Sequence, residues 1–115
     1  MIVDDDRTTT GLLQTLLELD GFEVILAADG GTAMQIAQEN MPDAFLVDFH
    51  LSDFEGTDFV RQVRQDARFA QTPVIMTSGL DREEEAMASG ADHFLIKPFD
   101  PGHLVVILNQ LLGVG

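Results

Sequence analysis

The sequence contains no cysteine, a single lysine (Lys97) among only six basic residues, and no apolar run of bilayer length. Without cysteine there is no disulfide framework and no thiolate metal site, so stability has to come from packing and redox chemistry gives no indication of compartment. The missing apolar run excludes a transmembrane helix, and the acidic start lacks the basic region of a secretory signal; a cytoplasmic location is the expectation. The scarcity of base is as informative. Twenty acidic residues against six basic ones leave a formal charge of -14. That opposes direct binding to nucleic acid or to an anionic membrane, since both reward clustered lysine and arginine. A cation or a protein partner is the expected complement. No linker or low-complexity tract interrupts the 115 residues, 45% of them apolar, and a single domain over 1–115 is expected.

What is present is a regular alternation. Five short apolar runs read as strands: Ile2 with Val3, then residues 22–27 (FEVILA), 44–47 (AFLV), 74–77 (VIMT) and 93–96 (HFLI). They are nearly continuous, the pattern of strands covered by helices on both faces. Helical spacing follows the first three in Leu12, Leu13, Leu16 and Leu17, in Ala33, Ile36 and Ala37, and in Phe59, Val60 and Val63. A fourth helix is marked by Asp81 and Glu84, spaced as a capping box, and by a stop at Gly90. A fifth begins with Asp100 at an N-cap and Pro101 at the first position. Along that helix Leu104, Val105, Leu108, Leu111 and Leu112 share a face, and Val106 points away from it. The alternation predicts an α/β fold, a doubly wound parallel sheet that binds ligands beyond the carboxyl ends of its strands.

The first polar residues after the runs are Asp4 and Asp5, Asp48, Ser78 and Lys97, and in such a sheet all five converge on one edge. This bears on the opening MIVDDD, because carboxylates so close together raise one another's pKa unless water or a cation relieves them. A solvated loop is one reading; a Mg²⁺ site is the other, because this hard cation takes oxygen ligands and keeps some water. Lys97 could pair with a carboxylate or an incoming phosphoryl group, and the Ser78 hydroxyl could donate to a phosphate oxygen. Together these groups suit phosphoryl transfer to a carboxylate, which depends on positioning and charge neutralisation. The plainer alternatives are that Ser78 caps the fourth helix, that Asp48 caps a turn, and that Asp6 and the acidic run 83–85 are solvated charges. His50, His93 and His103 lack metal-ligand spacing, and their side chains read as surface groups.

Four ordered motifs, VDDD, LVDFHLSDFEG, PVIMTSG and GADHFLIKPF, run through essentially the whole chain, with Asp48 eight positions before Gly56. In these the sequence resembles the receiver domains of two-component response regulators, the CheY-like superfamily. The resemblance implies a flavodoxin-like (βα)5 three-layer sandwich with strand order 2-1-3-4-5. It implies that Asp48 is the phosphoacceptor, and that Mg²⁺ is the cofactor, held by Asp5, Asp48, the backbone carbonyl of His50 and, directly or through water, Asp4. By the same likeness Lys97 pairs with the acceptor carboxylate or phosphate, Ser78 bonds the phosphoryl group, Phe94 is the aromatic switch, and the Lys97–Pro98 bond is cis. The implied partners are a sensor histidine kinase or histidine phosphotransfer protein upstream and a protein target or effector domain downstream. The chain would then be a signalling switch rather than an enzyme with turnover.

Some positions depart from the family pattern. Leu51 and Ser52 stand where Met-Pro is usual, and Ser78 to Lys97 spans 19 positions, which predicts a fourth helix about one turn short. The first strand is brief, and the closing LLGVG offers no effector segment. Two other readings remain at this stage: a receiver-like binding module that takes no phosphate, and a small aspartyl-phosphate phosphatase. The second commonly has another aspartate two positions after its nucleophile, where this chain has His50.

Overall fold

In the computed structural model, which describes residues 1–113, strands and helices alternate from β1 (Ile2–Val3) to α5 (Pro101–Leu112). Between them come α1 (Arg7–Leu19), β2 (Leu26–Ala27), α2 (Gly30–Asn40), β3 (Phe45–Asp48) and α3 (Gly56–Gln65), then β4 (Val74–Ser78), α4 (Glu83–Ser89) and β5 (His93–Ile96). Val114 and Gly115, the end of the LLGVG stretch, lie outside the described residues.

The strands pair in parallel in the order β2-β1-β3-β4-β5, a flavodoxin-like doubly wound sheet. The continuous apolar runs are explained by two cores, one on each face. Phe45, Val47, Val74 and Met76 join Ala33, Phe59, Val60, Val63 and Ala86 on the α2, α3 and α4 side. Leu46 and Ile75, one residue out of phase, join Leu13, Leu17, Leu104 and Leu108 on the α1 and α5 side. Successive strand side chains point to opposite faces, so a strand buried on both must be apolar at every position. Edge-on ring contacts of Phe45 with Phe59 and Phe69 order the first core.

Two local expectations are corrected. The run 22–27 forms ladder only at Leu26–Ala27, because β1 offers only Ile2 and Val3 as partners. Phe22 and Val24 nonetheless pack against the second core, which accounts for their apolar character. At α4 the expected capping box does not form. The N-cap is Arg82, which makes no side-chain cap bond, and Asp81 lies one residue too early, its carboxylate accepting from the Glu83 amide at 3.3 Å. Three glutamates in the first turn compensate by placing negative charge at the positive end of the helix dipole. The helix has seven residues and stops at Gly90, whose φ of 118° favours glycine.

Elsewhere local chemistry sets the boundaries as expected. Asp100 caps α5 by accepting from the Gly102 amide at 2.9 Å, with Pro101 in the first turn. Leu104 and Leu108 are buried, whereas Val106 is 52% exposed. At the amino edge of the sheet Arg64 of α3 donates to the carbonyls of Gly90 (2.8 Å), Phe69 (3.2 Å) and Thr72 (2.6 Å) and to the Asp92 carboxylate (2.8 Å). The same Asp92 oxygen accepts from the Val74 amide at 2.8 Å, tying the starts of β4 and β5 to α3.

Candidate functional site

At the opposite edge β1, β3, β4 and β5 deliver the expected site residues where their ladders end. Asp4 follows β1, Asp48 is the last residue of β3, and Lys97 follows β5. The Lys97 ammonium donates to Asp4 Oδ2 at 2.9 Å and lies 3.1 Å from Asp48 Oδ1. The other Asp4 oxygen accepts from the Asp6 amide at 2.9 Å, so this buried carboxylate is held on both sides. Asp5 is exposed, yet one oxygen each from Asp4, Asp5 and Asp48 can lie within 4.8 Å of the others.

Burial and then the neighbouring Asp4 charge push the Asp48 carboxyl above its ordinary pKa, with Lys97 opposing. For Lys97 burial works against the charge, but the bond to Asp4 and the charges of Asp4 and Asp48 outweigh it, and its pKa moves up. One ammonium thus faces three carboxylates, and the surplus is negative. A divalent cation with oxygen ligands would relieve it. The donor set, three carboxylates from the ends of β1 and β3 with Asp5 open to solvent, fits Mg²⁺, which keeps part of its water shell.

The remaining expected site residues are connected less directly. Ser78 is buried as the last residue of β4, and its carbonyl accepts from the Lys97 amide at 2.8 Å. Its hydroxyl accepts from the Leu80 amide at 3.2 Å, a local turn; the helix-cap alternative is wrong, because the N-cap position of α4 is Arg82, four residues on. Phe94 is half-buried, packed against the α2–α4 core. His50 is exposed, its ring edge-on to Phe49 and its Nδ1 3.8 Å from Glu55. The Lys97–Pro98 peptide is cis.

Two contributors, Asp6 and Asp53, escaped the sequence reading, and a third, Gly56, entered it only through its spacing from Asp48. Asp6, taken for a solvated charge, is exposed but caps α1, its carboxylate accepting from the amides of Thr8 and Thr9 and from the Thr9 hydroxyl. The signal was present in DRTT, an aspartate with threonine three positions on before an apolar-periodic stretch. Gly56 starts α3 so close to β3 that a Cβ would strike the Asp48 carbonyl oxygen, so only glycine fits. Asp53, in the loop between them, bonds the start of α2.

Comparisons with known proteins agree with this geometry. The response regulator receiver domain family matches residues 1–109. The transcriptional regulatory protein CpxR of Escherichia coli K12 is 37% identical over 97% of this chain and 48% of its own length. PrrA of Mycobacterium tuberculosis is 36% identical over the same shares. The chain therefore spans about half the length of these curated relatives. A response regulator from Chloroflexus aurantiacus superposes with a TM-score of 0.92 at 35% identity, covering 97% of this chain and 94% of that one. The receiver domain of a sensor histidine kinase from Pseudomonas aeruginosa PAO1, solved with a magnesium ion coordinated in its active-site cleft, gives 0.88 at 28% identity over the same shares.

The expectation of no direct nucleic-acid contact finds no support in these relatives, which are named transcriptional regulators. The charge on which it rested describes this stretch of chain only, about half of what those relatives contain. No described helix is long and apolar enough to cross a membrane. With its 2-1-3-4-5 sheet, its strand-end carboxylates and the match over residues 1–109, this chain belongs to the response regulator receiver domains of two-component signalling.

Proposed function

We propose that Asp48 is the phosphoacceptor of a signalling switch formed by one receiver domain over residues 1–115. The observation that carries this reading is the position of Asp48, at the end of β3, 3.1 Å from the Lys97 ammonium and grouped with Asp4 and Asp5. An Asp48 carboxylate oxygen attacks the phosphorus of a phosphohistidine on a sensor kinase or phosphotransfer protein, and the P–O bond forms as the P–N bond to the donor imidazole breaks. Mg²⁺, held by Asp4, Asp5, Asp48 and the His50 carbonyl, would supply charge neutralisation to the transferring group. Lys97 stabilises the oxygen that gains charge, and Asp4 keeps Lys97 aimed at the site. Attack of water on the acyl phosphate later resets the switch.

The phosphoryl group brings charge and acceptor oxygens to the strand ends. The Ser78 hydroxyl gives up its contact with the Leu80 amide and donates to a phosphoryl oxygen, and Phe94 turns into the space this leaves. That biases the face of α4, β5 and α5 between two packings, and the output is a changed affinity for a protein target or effector domain. Chemistry is confined to gaining and losing this one group.

The test is intact mass after exposure to acetyl phosphate, with and without Mg²⁺, for the wild type and Asp48→Asn. One added phosphoryl group, only with Mg²⁺ and only when Asp48 is present, is the expected result. No addition in rapidly sampled reactions, together with no binding of beryllofluoride, would overturn it in favour of a module that works through protein contacts alone.

A further inference from the structure

The segment 49–55 joins Asp48 to α3 and carries His50, and no proline stiffens it. Its hydrogen bonds to itself are few: the Leu51 amide donates to Phe54 (3.1 Å), and the Gly56 amide returns to Phe49 (2.8 Å). Its outer half is anchored elsewhere. Asp53 Oδ1 accepts from the Gly30 amide at 3.1 Å and Oδ2 from the Gly31 amide at 3.2 Å, so one carboxylate takes the first two amides of α2. These are orphan donors at the positive end of a helix, where an anion is favoured. Beside this bond Phe54 lies on Gly30 so closely that a Cβ there would come within 2.6 Å of its side chain. A Cβ on Gly31 would come within 3.1 Å of the Asp53 carboxylate. The paired glycines of ADGGTA and the SDFEG stretch, 22 or 23 residues apart, are therefore two halves of one contact. Asp29 caps the same helix independently, accepting from the Thr32 amide at 2.9 Å, and makes none of these bonds to the loop.

We infer that Asp53 is a positioning residue that straps the acceptor loop to α2 and so holds the His50 carbonyl in place for the cation. This rests on the reading of Asp48 and its neighbours as a Mg²⁺-dependent phosphoacceptor site. Asp53 touches neither the cation nor the phosphoryl group; it acts by limiting the motion of the backbone that does. Asp29 supplies the control, because losing it weakens α2 without releasing the loop.

The experiment measures Mg²⁺ affinity of the full chain by titration calorimetry, and amide hydrogen exchange over residues 49–55, for the wild type, Asp53→Ala, Asp53→Asn and Asp29→Ala. Outer groups that orient metal ligands typically change affinity 10–100-fold, and the expectation for Asp53→Ala is the lower end, about tenfold weaker binding with faster exchange in the loop. Asp53→Asn, which keeps one acceptor oxygen, falls between, and Asp29→Ala binds as the wild type does. Wild-type affinity in Asp53→Ala overturns the inference, as does equal weakening in Asp29→Ala, which would make the effect one of helix stability. A wild type that neither binds Mg²⁺ nor takes phosphate overturns the functional reading, and this inference with it.

Discussion

The two edges of the sheet each hold a cation among oxygens, and they are built on opposite terms. At the amino edge Arg64 is matched donor for acceptor: its guanidinium spans carbonyls from two loops and one carboxylate, and that carboxylate also takes a backbone amide. At the carboxyl edge Lys97 meets Asp4 and Asp48 while Asp5 stands open nearby. A planar, permanently charged fork suits a closed structural junction, and a point charge on a flexible stem suits a site whose partner changes. Complete compensation thus marks the edge that holds the fold together. The surplus of carboxylate marks the edge left to bind something.

If that contrast is right, breaking the closed edge costs the most. Arg64→Ala takes this donor from the carbonyls of Gly90 and Thr72 and leaves the Asp92 carboxylate with the Val74 amide but no charge partner. Hydrogen bonds to a charged group contribute roughly 1.5–3 kcal/mol each, and water reaches part of this site, so a loss of about 3 kcal/mol in urea unfolding is expected. A loss within 0.5 kcal/mol, the range of ordinary surface changes, would show that the junction is ornamental.

The open edge should respond to Mg²⁺ instead. A ligand that binds only the folded state at ten times its Kd raises stability by about 1.4 kcal/mol, an increase expected for the wild type and for Arg64→Ala, and lost in Asp48→Asn. Equal Mg²⁺ stabilisation in Asp48→Asn would place the cation elsewhere.

Without Mg²⁺, Asp48→Asn should be the more stable protein, by no more than about 1 kcal/mol, because Lys97 offsets part of the cost of burying the charge. The sign follows from the raised pKa, caused by burial and then by Asp4. Ionising Asp48 costs folding free energy, a cost absent below the ordinary carboxylate pKa and complete above the raised one. The stability gain of the variant therefore grows with pH through that window, and a gain unchanged between acid and neutral pH would contradict it.

The smallest effect belongs to a surface pair, Arg68 exposed and Asp66 partly covered. The Arg68 bonds to Asp66 hold that carboxyl down to about 2. Its stabilisation is present above the ordinary carboxylate range and lost only as pH falls through about 2. In Arg68→Ala, carboxyl chemical shifts should show Asp66 titrating higher, back toward that range.

Much of the site could be read from residue order. Asp4, Asp48 and Lys97 each come directly after an apolar run, and a parallel sheet brings such positions to one edge. Apart from the local cap of α1 by Asp6, most of what escaped involved contacts between segments. Asp53 and the Gly30–Gly31 pair have no shared local pattern, and β2 is shorter than its apolar run because pairing depends on the length of β1. Asp81 and Glu84 had capping-box spacing, but the turn after β4 set the helix start at Arg82.

Hydrophobic periodicity acts within a few residues and is written along the chain, which is why the alternation of five strands and five helices, the two-sided burial of the sheet and the strand-end chemistry follow from the amino-acid order. Hydrogen-bond partners across a folded chain are chosen by distance in space. The meeting of Lys97 with Asp4 across 93 residues, the closure of the Arg64 junction and the strap from Asp53 to α2 therefore exist only once the sheet is assembled.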